Sequence, residues 1–344
     1  MSTFDPDPPA PAVGGNPADQ LITIKRFLAD RQPAGATGNL TGLLYDIALA
    51  GKLISSKTRR AGLTDMLGRS GVTNVQGEEQ KSLDVYADQV IAGLLGNSGK
   101  VCALISEEQP EVTVFEDGGP YIVTCDPLDG SSNIDANVSI GTIFGVFRRR
   151  DADHGPTTED WLRPGSEMVA AGYLLYSTST MLVYSAGDGV HAFTLDPEAG
   201  EFLLTWSDLE FPEDPSYYSF NLAASAHWEQ GVERFVDWAN RDDTPTMSQR
   251  YIGSAVSDFH RNLLHGGIFA YPGTDEEPEG KLRLLYEGAP LAYLAEQAGG
   301  RGSDSRESLL DLVPTDIHQR TPVFVGARSL VEKLEAFVAG PDGS

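Results

Sequence analysis

The spacing of apolar residues changes along the chain, and the changes mark its elements. Ile22–Leu28 begins a helical pattern. After the turn-rich stretch 31–38, RQPAGATG, the residues Leu43, Leu44, Ile47 and Ile54 share one face of a second helix, with Asn39 or Thr41 placed to cap it. Residues 60–74, RAGLTDMLGRSGVTN, mix apolar and turn residues and read as a mobile loop. A third helix starts near Gln80 and carries Leu83, Tyr86, Val90, Ile91 and Leu94 at helical spacing. The period then shortens to strands: Val101–Ile105, Tyr121–Cys125 and Ile140–Phe147, followed by a meander over 168–206 with Gly, Asp and Pro turns. The acidic stretch 208–216, DLEFPEDPS, reads as a link. Beyond it come a helix over Gly253–Leu264, strands over Ile268–Tyr271 and Leu282–Tyr286, and a helix over Pro290–Ala298 closed by Gly299 and Gly300. A strand over Pro322–Val325 precedes a last helix with Leu330, Val331, Leu334, Phe337 and Val338. The sum is a mixed α/β protein of layered sheets and helices. The expected division is a disordered tail over 1–19, one domain over 20–205, a second over 206–338 and a short tail over 339–344.

Composition adds a chemical constraint. Among 344 residues, 50 acids face 25 bases, for a net charge of −25, and only seven of the bases are Lys. No basic patch is present to grip a phosphate backbone, which argues against nucleic acid as a partner. The acids are scattered, and a Lys-poor acidic surface suits solubility in concentrated salt, so a halophilic source is expected. No apolar run is long enough to span a membrane, and the Pro- and Gly-rich start lacks a secretory pattern, so a cytoplasmic protein is expected. Cys102 and Cys125 are too few for a disulfide framework or a zinc site and read as buried, reduced thiols. The six histidines show no metal-ligand spacing. With roughly one residue in seven acidic, only an acid with special neighbours merits a chemical reading.

Four stretches qualify. In YIVTCDPLDGSSNID (121–135) an apolar strand runs straight into Asp126, and Asp129 follows three residues on across the stiffening Pro127. Hard divalent cations want carboxylate oxygens held close on a rigid turn. Gly130, Ser131 and Ser132 then offer close backbone approach, N–H groups and hydroxyls, which suit a phosphate. Together they point to metal-assisted phosphoryl chemistry. Glu107 and Glu108 also follow an apolar strand; near a cation one can ligate while the other acts as a base, and otherwise they are two exposed loop acids. Asp84 starts a helix off its apolar face, where it also favours the helix dipole. Glu287 stands where a strand gives way to a helix, and alternation places Lys281 and Arg283 on one side of that strand, with Lys281 suited either to neutralising a phosphate or to guarding a sheet edge.

These residues, with TNVQGEEQKSLDVYAD (73–88), ISEEQPE (105–111), DPLDGSSNIDANVSIGTIFGVFR (126–148), MVAAGYLLYS (168–177), RYIGSAVSDFHRNLLHGGIFAYP (250–272), GKLRLLYEGAPLAYLAEQAGG (280–300) and VPTDIHQRTPVFVG (313–326), resemble class I fructose-1,6-bisphosphatase, within the lithium-sensitive, metal-dependent sugar phosphatases. The resemblance covers about residues 20 to 337. It implies an α/β/α/β/α sandwich, usually a homotetramer, that uses two or three magnesium ions per site, with manganese as an alternative. Glu78, Glu107, Asp126, the Leu128 carbonyl, Asp129 and Glu287 would bind the metal. Glu108 with Asp84 would take the proton from the attacking water. Asp129, Gly130, Ser131 and Ser132 would hold the 1-phosphate of fructose 1,6-bisphosphate. Asn221, Tyr251, Tyr271 and Lys281 would hold the sugar and the 6-phosphate, and Arg250 would reach into a neighbouring subunit's site. The step would be gluconeogenic. Thr37, Gly38, Thr41, Tyr121 and Arg148 match an inhibitory AMP site, but Pro120 stands where animal members carry Lys, and Asn39 replaces an acid. Leu222 and Ala224 also depart from the animal pattern near the 6-phosphate. Rival readings are a sedoheptulose-bisphosphate or inositol-monophosphate phosphatase, and a non-catalytic sensor of AMP or sugar phosphate.

Overall fold

The computed structural model describes residues 21–32, 36–63, 69–73, 79–116, 118–151, 153–241 and 247–340. The expected tail over 1–19 and most of that over 339–344 lie outside them, as does Glu78. Three sheets are present among the described residues. Strands β1 (Arg69–Thr73) and β2 (Glu79–Lys81) pair antiparallel. The large sheet contains β3 (Val101–Ser106), β4 (Thr113–Val114), β5 (Tyr121–Asp129), β6 (Ile140–Arg148), β7 (Met168–Tyr176), β8 (Thr180–Ser185), β9 (Val190–Asp196) and β10 (Glu201–Leu209). Its order is β10-β9-β8-β7-β6-β5-β3-β4, antiparallel except for the parallel pair β3 and β5. The smaller sheet contains β11 (Tyr217–Phe220), β12 (Ser248–Gln249), β13 (Gly267–Tyr271), β14 (Arg301–Ser303) and β15 (Val323–Gly326), in the order β12-β11-β13-β15-β14.

The helices are α1 (Ile24–Asp30), α2 (Asn39–Thr58), α3 (Ser82–Gly96), α4 (Thr158–Trp161), α5 (Gln230–Ala239), α6 (Ala255–His265), α7 (Ala289–Gln297) and α8 (Arg328–Ala339). Their buried faces define the layers. Leu43, Leu44 and Ile47 of α2 and Leu83 and Ile91 of α3 pack on Val123, Phe144 and Val146 of the large sheet. The opposite face of that sheet, with Ile122, Ile143 and Tyr173, meets Val256 and Phe259 of α6, Leu291 and Leu294 of α7, and Phe269 and Val325 of the small sheet. Phe235 of α5 and Leu330 and Leu334 of α8 cover the far side of the small sheet at Ile268 and Phe324. The result is the expected α/β/α/β/α sandwich. With both faces covered, β3 and β5 are buried throughout, which is why they read as continuous apolar runs rather than alternating ones. Where β6 passes α6 the fit is close: a Cβ on Gly141 would lie 2.6 Å from the Val256 Cβ, so no side chain is accommodated there without displacement.

Four local expectations are corrected. Gly38, with φ of 79°, caps α2, and neither Asn39 nor Thr41 does. Part of the stretch expected to be loop over 60–74 is the strand β1, which pairs antiparallel with β2 a few residues on, although its Gly and polar residues carry no strand pattern. Strand β5 does not end at Cys125 but runs on to Asp129, with an irregularity in its pairing to β6 between Asp126 and Asp129. Residues 282–286 are not a strand: Leu284–Gly288 form a single π-helical turn leading into α7.

Candidate active site

A cavity of about 320 Å³ opens where β3 and β5 end, beside the start of α6. The sandwich delivers its lining from several layers. Asp84 comes from the first turn of α3, Glu107 and Glu108 from just past β3, and Asp126, Leu128 and Asp129 from β5. Gly130, Ser131 and Ser132 follow on a turn that Gly130 enters at φ of 76°. Tyr251, Tyr271, Lys281 and Glu287 complete the wall from the C-terminal part of the chain.

The β5 irregularity shapes the acidic end. Thr142 donates its hydroxyl to the Pro127 carbonyl at 2.8 Å, and the Leu128 N–H donates to Asp126 Oδ1 at 2.9 Å, so the turn is tied to β6 and to itself. Asp129 spans to the other side of the cavity. Its Oδ2 accepts from the Ser254 hydroxyl at 2.6 Å and from the Val256 N–H at 3.0 Å, and its Oδ1 accepts from the Ala255 N–H at 3.1 Å. Ser254 also caps α6 by accepting from the Ser257 N–H at 3.2 Å. The acid from β5 therefore closes the N-terminus of α6. The π-helical turn does for Glu287 what a strand would not: it folds the carboxylate back so that Oε2 accepts from the N–H of Arg283 at 2.7 Å. Arg283, almost fully buried, places Nη1 2.8 Å from Glu107 Oε1 and 3.8 Å from Glu287 Oε2.

Asp126, Asp129 and Glu287 are all buried, and one oxygen of each lies within 4.8 Å of the others. Burial, then the nearby charge of Glu107 and Glu287, holds Asp126 well above the usual carboxylate range. Burial and Glu107 do the same to Glu287, against the opposing pull of Arg283. Asp129 is pushed up to about 6 by burial, although its three hydrogen bonds work the other way. Three carboxylates that resist ionising together form an all-oxygen, hard donor set. The set fits a divalent cation, whose charge removes the repulsion. Cys125, fully buried on β5 next to Asp126, has its thiol pushed well above its ordinary value by the same burial and acids.

The remaining expected site residues fall in three places. Asn221 lines an adjoining cavity of about 230 Å³ that shares Tyr271 and Lys281 with the main one. Arg250 is exposed and stacks over Tyr217 at 5.5 Å, in neither cavity. Thr37, Gly38, Thr41, Tyr121 and Arg148 all line one separate cavity of about 760 Å³ between α1, α2, the start of β5 and the end of β6, with Asn39 and Pro120 also on its wall. Sequence reasoning missed Ser254, the ion pair from Arg283 to Glu107, and Asp88. The signals were available for two of them: Ser254 precedes a helical pattern as a cap, and Asp88 lies one helical turn after Asp84 on a face otherwise buried through Leu83, Ala87 and Ile91.

Comparison with known proteins agrees with this architecture. The family model for the N-terminal domain of fructose-1-6-bisphosphatase matches residues 22–207, and that for the C-terminal domain matches residues 211–339. Two similar curated proteins are named fructose-1,6-bisphosphatase class 1. The one from Chloroherpeton thalassium is 48% identical over 328 residues, covering 93% of this chain and 94% of that protein. The one from Chlorobium luteolum is 47% identical, covering 93% and 99%. Among solved structures, the holo form of Leishmania major fructose-1,6-bisphosphatase aligns with a TM-score of 0.88 at 42% identity, over 92% of this chain and 99% of that one. This chain belongs to the class 1 fructose-1,6-bisphosphatase family.

Proposed function

We propose that the protein hydrolyses the 1-phosphate of fructose 1,6-bisphosphate to fructose 6-phosphate and inorganic phosphate. The observation that carries the reading is one cavity lined by a buried, cation-seeking acid cluster and by Tyr251, Tyr271 and Lys281, the last two of which carry it on into the adjoining cavity. A bisphosphate suits such a site. Family membership favours the fructose over the sedoheptulose substrate and a catalyst over a sensor.

Glu107, Asp126, the Leu128 carbonyl, Asp129 and Glu287 would hold divalent cations, magnesium first and manganese second, which supply Lewis-acid polarisation of the phosphoryl group. The chain's own residues do the rest. N–H groups and hydroxyls of Gly130 to Ser132 orient the 1-phosphate. Glu108, with Asp84 beside it on the cavity wall, accepts the proton of the attacking water. The new bond runs from the water oxygen to phosphorus, the bond from phosphorus to the C1 oxygen breaks, and that oxygen takes up a proton from solvent as the proton on Glu108 is released to solvent, so the proton count is unchanged. Lys281, Tyr251, Tyr271 and Asn221 anchor the distal phosphate and the sugar, so that binding energy at one end aligns the other.

The cavity lined by Thr37, Gly38, Thr41, Tyr121 and Arg148 would be the AMP site, weakened by Pro120 and Asn39. Arg250, exposed in the single chain, would serve a neighbouring subunit in a homotetramer. A gluconeogenic role in a salt-rich cytoplasm agrees with the activity and with the charge of −25. Phosphate release from fructose 1,6-bisphosphate, with and without magnesium, in dilute and in concentrated potassium chloride, tests the set. Magnesium-dependent release is expected, with structure retained in concentrated salt. No release from folded protein in either salt would refute the substrate assignment.

A further inference from the structure

We infer that Asp88 is a positioning residue that fixes the turn carrying Glu107 and Glu108. The inference rests on the proposed role of those two acids. Asp88 lies on α3, is 5% exposed, and takes no part in the chemistry described above. Its Oδ1 accepts the Ser106 hydroxyl at 2.7 Å, and its Oδ2 accepts the side-chain amide of Gln109. The Ser106 oxygen in turn accepts the Glu108 N–H at 3.3 Å. The Gln109 N–H donates to the Ser106 carbonyl at 3.2 Å, and the Glu107 N–H donates to the Cys125 carbonyl at 3.1 Å. The four residues Ser106 to Gln109 are thus tied to α3 by side chains and to β5 by the backbone.

The pairing as built suits a carboxylate. Both partners present donors: the Gln109 amide nitrogen has no lone pair to offer, and the Ser106 hydroxyl, already accepting from Glu108, turns its hydrogen to Asp88. A carboxylate offers acceptors only. Asparagine offers one acceptor instead of two, so one arm survives only if the Gln109 amide turns its oxygen inward or the Ser106 hydroxyl gives up its donor role, and both arms lose the charge that strengthens them. A carboxyl buried at the back of this turn and met there by two neutral donors is an expensive way to stabilise a fold. Holding the two glutamates in register is the function that accounts for it. Groups of this kind behind metal ligands and catalytic acids typically change activity or metal affinity about 10–100-fold when lost.

The test uses the full chain with wild-type magnesium-dependent phosphate release measured alongside. Asp88→Asn should lower kcat about 10–100-fold with the Michaelis constant for fructose 1,6-bisphosphate within about threefold, and should raise the magnesium concentration for half-activation. Asp88→Asn combined with Gln109→Glu restores one donor against one acceptor at unchanged net charge, and should recover kcat to within about threefold of wild type. Amide hydrogen exchange of the metal-free protein gives a readout independent of turnover. Peptides covering 105–110 should exchange faster in Asp88→Asn and slow again in the double variant, while peptides in α6 stay unchanged. Gln109→Ala, at a half-exposed position, cuts one arm without touching Asp88 and should show the same exchange signature. A wild-type kcat in Asp88→Asn would overturn the inference. So would a double variant no better than the single one, or unchanged 105–110 exchange in both Asp88→Asn and Gln109→Ala. Absent turnover in the wild type would strike the proposed function instead, and the exchange comparison would still decide whether Asp88 holds the turn.

Discussion

Protons and cations should compete for the acid cluster, and among its three raised carboxyls Asp129 offers a definite range in which to look for the competition. Its carboxyl has an ordinary value of 3.8 and is held at about 6 in the folded protein. A group whose folded value is raised stabilises the native state below its unfolded value and loses that contribution as pH rises through the folded value. Each pKa unit is worth 1.36 kcal/mol, so the metal-free protein should lose about 3 kcal/mol between pH 4 and pH 6 from this group. For a chain of this length that is about 4 °C in melting temperature. A divalent cation that binds ionised Asp129 reverses the loss. The magnesium-induced rise in melting temperature should therefore be several degrees larger at pH 7.5 than at pH 5, and apparent magnesium affinity should fall at least about tenfold per pH unit below 6, more steeply where Asp126 and Glu287 also hold protons. Melting curves with chelator and with saturating magnesium, at four pH values in constant salt, measure this directly. A magnesium shift of the same size at pH 5 and pH 7.5 would refute the reasoning, because Asp129 would then be ionised throughout.

Three further outcomes follow from the same geometry. Glu108→Gln should lower kcat by a factor of about 10²–10⁴ with the Michaelis constant little changed, as steady-state kinetics will show, because the loss falls on proton removal from water. Lys281→Ala should chiefly raise the Michaelis constant, and a collapsed kcat at constant Michaelis constant would contradict its anchoring role. His260 is buried against the Tyr173 hydroxyl at 2.7 Å, and burial holds it down at about 4, from 6.5. Its neutral form supports the fold above pH 6.5, and about 3 kcal/mol should disappear as pH falls from 6.5 to 4, a slope that denaturant titrations should find flattened in His260→Gln.

Much of the site was legible because its chemistry is clustered in sequence. Asp126, Asp129 and the Gly130 to Ser132 turn are neighbours in the chain, and the first acid directly follows an apolar run, so local pattern and chemistry coincide. The layered α/β architecture was legible for a related reason: strands covered on both faces appear as short unbroken apolar runs. Residues 282–286 defeated the same logic. Leu282, Leu284, Leu285 and Tyr286 are all buried, and an apolar run buried on every side carries no period by which to tell a strand from a helical turn. Local pattern marks Ser254 as a cap and places Asp88 on the buried face of its helix, but it stops short of their roles at the site. Their roles lie in partners 18 and 125 residues away, and nothing local to either residue specifies those partners.

The setting of Cys125 gives the protein a chemical reporter. Thiol reagents attack the thiolate, and here burial and the surrounding acids suppress it, so the native protein should tolerate alkylating and oxidising agents. Labelling of Cys125 can proceed only when β5 parts from its neighbours, and that is the strand on which Asp126 and Asp129 stand. The rate at which a small alkylating agent modifies this side chain therefore clocks how often the floor of the cation site opens, and a saturating divalent cation should slow that clock.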